Sequence, residues 1–385
     1  MAGADASSVA LSFLKETTFG VTPSGSLQRA RFTSEGLNVN TETTQSDEIN
    51  STRDISDVVR IGRVAEGDIG IEMSYGTHDA FMEAALLSSD WSATVVVIAA
   101  NNTISVTGGN TFHKAAASWT NTPAVPSWVK VSGFTSTMAV NNGIWRVTSA
   151  DTDDVTVDGT LTNGAAGDSV TITQLSYIQN GTNLRSYSIE KQFTDLTNKF
   201  EVFLGMCFDG LSLEIPTKGK ISGSVSLLGK SGASASATIG TGYTAQTTTR
   251  VMNSIDHVVK LLENSSSANF IGLTMQIANS LRDRAQVATL GPESIGKGDF
   301  VVTGTLKQYY ASETIMDKYL NGTVSSLSLQ LQDANGNGYI FWFPSVVYTA
   351  GKRNATGKNT DVIADLGWQA YKSATFGFTM QVIRY

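Results

Sequence analysis

The clearest alternation of apolar and polar positions lies in residues 210–229, GLSLEIPTKGKISGSVSLLG. Leu211, Leu213 and Ile215 alternate with Ser212 and Glu214, and Pro216-Thr217-Lys218-Gly219 supplies turn chemistry. Ile221, Gly223, Val225 and Leu227 then alternate with Ser222, Ser224 and Ser226. A period of two with one apolar face belongs to a half-buried antiparallel strand pair, so this stretch predicts a β-hairpin. Related runs occur twice more. A Gly-Leu opener stands at 36–40 (GLNVN) and 272–277 (GLTMQI), and a closer at 67–75 (GDIGIEMSY) and 298–306 (GDFVVTGTL). With the central hairpin these read as three opener–closer pairs on one sheet scaffold, two of them with lengthened connections. Their irregular spacing excludes a solenoid.

A short helix is expected at 79–87, with Asp79 as N-cap and Phe81/Ala85 and Met82/Leu86 paired at i,i+4. After the last closer, Ser312 can cap SETIMDKYLNG, where Ile315/Tyr319 and Met316/Leu320 share a face and Gly322 ends the helix. A strand–helix unit thus occurs twice.

The connection at 41–66, TETTQSDEINSTRDISDVVRIGRVAE, is long and polar for a compact domain. Doubled back as a hairpin it would reach about 40 Å, at roughly 3.3 Å per residue. Two readings stand: a disordered surface loop, or an arm that orders only against a neighbouring subunit. For the arm, the candidate contact residues are Asp47, Glu48, Arg53, Asp54, Arg60 and Arg63. Residues 1–35 read as an extended arm, and SGASASATIGTGYTAQTTT (231–249) as an exposed low-complexity loop. Residues 93–178 carry their own strand signals, with Asn142-Gly143 and Asp158-Gly159 as hairpin-turn dipeptides and Trp119, Trp128 and Trp145 among them. They predict a small inserted β-domain, dividing the chain into 1–92, 93–178 and 179–385. At the C-terminal end, LSLQLQ and GYIFWF flank a turn, and the last 25 residues predict two strands with Phe376, Phe378, Met380 and Val382 on one face.

Composition narrows the class. Charged residues make up 16% of the 385, while Gly reaches 36 and Pro only six, a profile of all-β proteins with many short strands and tight turns. The net charge of −7 argues against a nucleic-acid-binding surface. The single cysteine, Cys207, excludes an intrachain disulfide and reads as a buried small apolar residue. No secretory signal is visible and the longest apolar run, 95–100, is far short of a bilayer span, so the expectation is a soluble chain made in the cytoplasm, with no membrane partner.

Motif chemistry is sparse. Residues 333–338 (DANGNG) match half a calcium loop, but Pro344 stands where the bidentate Glu belongs, so a hairpin turn is expected. The glycine spacing at 223–231 is one residue too long for a phosphate loop and lies in a strand. His78, His113 and His257 lack metal-ligand spacing. No catalytic residue, cofactor or metal is expected. A hydrolase remains the second-class reading, because a Ser/His/Asp triad meets only in space. The three tryptophans admit a carbohydrate platform or core packing.

Several segments in shared order resemble the tail tube protein of long-tailed, non-contractile bacteriophages. They are ETTFGVTP, GLNVNTETTQSDEI…GDIGIEMSYG, GKISGSVSLLGKS, VMNSIDHVV, SLRDRAQVATLGPESIGKGDF…GTLKQYY, DKYLNGTVSSLSLQLQDANGNGYIF and GKNTDVIADLGW. The resemblance covers roughly 16–92 and 179–385. It implies an all-β fold with minor helix: a tail-tube-type β-sandwich or half-barrel with a flanking α-helix, here with an inserted small, immunoglobulin-like β-domain. It further implies hexameric rings stacked into a virion tail tube, assembled in the host cytoplasm. The implied partners are the chain itself, a tape-measure protein in the lumen, and terminator and distal tail or baseplate proteins at the ends. Genomic DNA would pass through without specific binding. A β-rich adhesin or carbohydrate-binding protein, or a terminator or distal tail protein capping the tube, are the competing readings.

Overall fold

The computed structural model describes residues 3–115, 119–267, 269–355 and 357–385. Met1 and Ala2, at the head of the expected N-terminal arm, and 116–118 of the expected insert lie outside the described residues. The principal strands and helices follow in chain order as β1 Val9–Lys15, β2 Asn38–Gln45, β3 Val58–Glu72, α1 Asp79–Ala85, β4 Ser186–Phe193, β5 Phe200–Ile215 and β6 Ser222–Gly229. Then come β7 Val258–Glu263, β8 Phe270–Ala278, β9 Val301–Tyr309, α2 Thr314–Leu320, β10 Ser325–Gln332, β11 Gly338–Asn354 and β12 Ile363–Ala370.

All neighbours among these strands are antiparallel. The first set pairs in the order β1-β4-β5-β6-β3-β2. The second pairs as β7-β10-β11-β12-β9-β8. Chain order and sheet order are thus the same in both: three strands, a helix, three strands, woven identically. The fold is an internal duplication of one six-stranded unit. This corrects the count of three opener–closer pairs. Only β2/β3 and β8/β9 are such pairs, whereas the central hairpin β5/β6 is the counterpart of β11/β12. Alternation with a period of two describes any half-buried hairpin, so it could not separate the two kinds.

β5 and β11 are the longest strands, and both pass between two layers. Each carries a bulge, at Phe208/Gly210 against β6 and at Tyr348/Ala350 against β12; bulges bend a strand and increase its twist. Their first halves pair with β4 and β10, and from just ahead of the bulge onward they pair with the wall strands β6 and β12. The curled sheet wraps one core containing Phe208, Leu211, Leu213, Met275, Leu306, Phe341, Leu366 and Trp368. α1 closes that core with Phe81, whose ring lies 5.0 Å from those of Phe13 and Phe208. The buried Ile315 and Met316 of α2 do the same beside β11.

Local expectations at the helix ends are corrected. His78, not Asp79, is the N-cap of α1, and the Asp79 carboxylate instead accepts hydrogen bonds from Tyr339 Oη and Arg384 Nη1. At α2 the N-cap is Glu313, and the Ser312 hydroxyl donates to the Thr314 hydroxyl. The N-terminal stretch does not extend freely: β1 lies in the sheet between β4 and Ser26–Arg29, with Leu11 and Leu27 buried. Much of the low-complexity stretch is likewise fixed. Ser231–Ala235 pairs with β5, Gly242–Thr244 pairs with Ser26–Gln28, and Tyr243 Oη donates to Glu190 at 2.6 Å. Near the C-terminus one strand, Gln381–Arg384, follows β12. Phe376 and Phe378 precede it and pack on Trp342, while Met380 and Val382 enter the main core, so the four do not share a face.

Between α1 and β4, seven strands from Val95 to Gln174 form a second sheet around Phe112, Trp119, Val129, Val147 and Ile172. An immunoglobulin-like sandwich would divide them between two sheets; here hydrogen bonds join all seven in one. Asn142-Gly143 opens a strand and Asp158-Gly159 follows one. The hairpin turn lies instead at residues 151–153, where Asp151 accepts from the Asp153 and Asp154 amides.

Candidate assembly interface

The face of the wall turned away from the core is built from small polar side chains. Reading across β3, β6, β5, β8, β9 and β12, one row holds Gly70, Ser224, Ser212, Gln276, Thr303 and Gln369. The next holds Glu72, Ser222, Glu214, Thr274, Thr305 and Gly367. Hydroxyls meet across strands, Ser212 with Ser224 at 2.9 Å and Thr274 with Thr305 at 2.8 Å. Asp68, Glu72, Glu214 and Asp365 stand on this face with Lys307, which lies 3.8 Å from Asp365. Six adjacent strands at about 4.8 Å make a polar surface roughly 24 Å wide.

The wall has two unpaired margins. β2 pairs only with β3, and its other edge has no strand beside it among the described residues. Among the described residues β11 after its bulge pairs only with β12; β10 ends against Val346, leaving the opposite edge of residues 350–354 without a strand there. Open edges of this kind invite pairing with another chain.

Beyond the wall, β2 and β3 continue as a two-stranded arm, Thr41 facing Arg63 and Gln45 facing Val58. The connection therefore carries its own ladder. This corrects the expectation of an arm ordered only against a neighbour, because Thr and Val runs on both sides suit strand pairing. The tip is closed by one backbone bond, Ser46 N to Asp57 O, and by side-chain turns in which Thr52 N donates to Asn50 Oδ1 and Asn50 Nδ2 to Asp54 O. At its base Arg63 N donates to Leu290 O, so the 279–300 connection braces the arm.

Asp47, Glu48, Arg53 and Asp54 sit at the exposed tip, Arg60 on the exposed shaft, and Arg63 half-buried at the base. The structure does not bring these charges together: none forms an ion pair among the described residues. The sequence reading passed over the arm's apolar side chains. Ile49 is wholly exposed, and Ile55, Val58, Val59 and Ile61 are about half exposed. Exposed β-branched residues clustered on one projecting element mark a contact surface, and their density within a polar segment was the available signal.

The second sheet docks on the outer layer. Trp128 meets Trp342 edge-on at 5.9 Å, and the Arg146 guanidinium lies 5.1 Å from the Trp342 ring while paired with Asp158. Trp342 projects from β11 on the side opposite the core residues Phe341 and Phe343. The two layers share one core, so this surface and the polar wall point in opposite directions. The tryptophans are engaged in packing: Trp119 is buried, and Trp145 Nε1 donates to Asn141 O.

Other candidate chemistry resolves into structure. The Asp333 carboxylate accepts from the Asn335 and Asn337 amides and shapes a hairpin turn. His78 is buried against Glu72 O, and desolvation lowers its pKa to about 4. His113 meets Asp154 at 2.6 Å, and His257 Nδ1 accepts from Asn253 N. Cys207 is buried, which pushes its thiol up to about 12.

Compared with known families, residues 6–370 match the family described as phage tail tube protein. No curated protein matches the chain.

Proposed function

The chain belongs to the phage tail tube protein family, a structural component of the virion tail, and we propose that its curled sheet is one segment of a tube wall closed by copies of itself. Copies close into rings with the sixfold repeat of wall units that the resemblance implies, and the rings stack. The observation that carries this is the pair of open margins on β2 and β11 beside a projecting hairpin that exposes five β-branched residues. A closed ring removes sheet edges, and a stack repeats one further interface indefinitely. The arm hairpin supplies that second interface. Ile49, Ile55, Val58, Val59 and Ile61 form its apolar centre, and Asp47, Glu48, Arg53, Asp54, Arg60 and Arg63 meet complementary charges around it.

The polar rows face the channel. Hydroxyls and carboxylates outnumber Lys307 and Lys352 on this face, and Lys307 lies beside Asp365, so the net field repels phosphates and the genome slides through during ejection. Before ejection the same channel encloses a tape-measure protein, and terminator and distal tail proteins hold the ends. Residues 93–178 form an inserted domain within a tube domain built from 1–92 and 179–385. Its docking opposite the polar wall directs it outward.

Negative-stain microscopy of the purified chain tests the reading: long hollow tubes are expected. Isolated rings would favour a capping protein, and a strict monomer would refute assembly. Tight binding of duplex DNA by tubes at physiological salt would refute the sliding channel.

A further inference from the structure

Within one chain the two six-stranded units are joined edge to edge. Gly210 faces Ala278, Ser212 faces Gln276 and Ile215 faces Leu273, so β5 after its bulge is sealed by β8. In the second unit the counterpart of β5 is β11, and the counterpart of β8 is β2. Those two strands carry the unpaired edges, and they lie at opposite ends of the wall in the order β2-β3-β6-β5-β8-β9-β12-β11. We propose that β11 of one chain pairs with β2 of the next in the register of the internal β5–β8 joint, so that three chains, each supplying two units, complete a ring of six units.

The register follows from the duplication. Matching the bulges aligns Gly210 with Ala350 and Ser212 with Lys352. Matching the β3 and β9 ladders aligns Gln276 with Asn38 and Ala278 with Asn40. Ala350 then faces Asn40 of the next chain, and Lys352 faces its Asn38. The facing sets also differ in charge. The β11 edge carries Lys352, while Arg353 is already paired with Glu313. The β2 margin carries Glu42, with Glu66 directly across from Asn38 on β3. In the shared row Lys352 is followed by Asn38 and then Glu66, where the internal joint has Ser212, Gln276 and Thr303. Opposite charges on neighbouring strands of one face attract. On the core side Val39 then meets Gly351, where Tyr319 and Met316 already pack.

The inference rests on the tube reading, and one experiment separates the two. Residues directly opposite on antiparallel strands have Cβ atoms about 4.5–5.5 Å apart, within reach of a disulfide or a short bis-thiol linker. The double variant Asn38→Cys with Lys352→Cys is assembled, checked for tubes by microscopy, cross-linked and run on a denaturing gel. The expected result is a ladder of covalent chains ending at a closed species of three, while either single variant stays uncross-linked. Tubes without cross-links, or a ladder running to six, would overturn the proposal and leave the tube reading intact. A wild-type chain that forms neither rings nor tubes would overturn both. Should the cysteine variant fail to fold, Lys352→Glu is expected to raise the concentration needed for assembly about tenfold, and Glu66→Lys in the same chain to restore it. No effect of the first, or no restoration by the second, counts against the pairing.

Discussion

Excising residues 43–61 and closing Glu42 to Gly62 with Asn-Gly removes the arm while keeping the wall. Glu42 and Gly62 are already a facing pair, and Asn-Gly suits a two-residue hairpin turn. The excised piece contains Ile49, Ile55, Val58, Val59 and Ile61, whose exposed portions add up to about three whole side chains. At about 1.5–3 kcal/mol for each fully buried apolar side chain, complete burial in a contact would contribute on the order of 5–9 kcal/mol. Interfaces bury such groups incompletely and must order them, so about 2–4 kcal/mol per contact is expected to survive. That corresponds to a thirty- to several-hundred-fold rise in the concentration needed for assembly, at about 1.4 kcal/mol per decade. The fold itself should be indifferent, since exposed segments far from the core change stability by about 0.5 kcal/mol or less. Sedimentation velocity and thermal unfolding read the two effects separately. Normal tubes at wild-type concentration would refute the arm as a stacking contact, and loss of the cooperative unfolding transition would show that it holds the fold together instead.

Reversing charge along the arm, Arg53→Glu with Arg60→Glu, should weaken assembly without lowering the melting temperature, and less so as salt screens the contact; turbidity across a salt series checks this. Cys207 should ignore thiol reagents at pH 8 in the folded chain and react after denaturation, because burial pushes its thiol up to about 12. His78, lowered by burial from 6.5 to about 4, is neutral in the fold. The unfolded chain binds the extra proton first as pH falls, so stability is complete above about pH 6.5 and declines by about 3 kcal/mol toward pH 4. His78→Gln should flatten that part of a denaturation-against-pH profile. Trp368→Ala removes a buried ring packed on Phe343 at 5.1 Å and beside Gly304; a loss of about 3–5 kcal/mol is expected in denaturant titration.

Much of the scaffold was legible because alternation reports a half-buried strand wherever one face is apolar. The buried Leu211, Leu213, Val225 and Leu227 lie where their spacing put them, as do Phe81 and Met82 on α1. The duplication was half visible. The strand–helix unit recurs in the sequence, but hairpins resemble one another, and only pairing partners show that β5/β6 answers to β11/β12. Element ends were least legible, since Asp79 could serve equally as a cap or as the acceptor for Tyr339 and Arg384. In the arm, charge is conspicuous in sequence. Exposure of Val59 and Ile61 depends on what lies beside them, which spacing does not record.

The wall of a single chain is incomplete alone. A helical reconstruction of tubes grown from the purified protein tests this most directly. It should resolve a continuous antiparallel barrel with eight strands from each chain, the Ser212–Thr303 row lining the channel and the seven-stranded sheet outside. A wall in which neighbouring chains meet without strand pairing, or a channel lined by the face bearing Trp342, would contradict it.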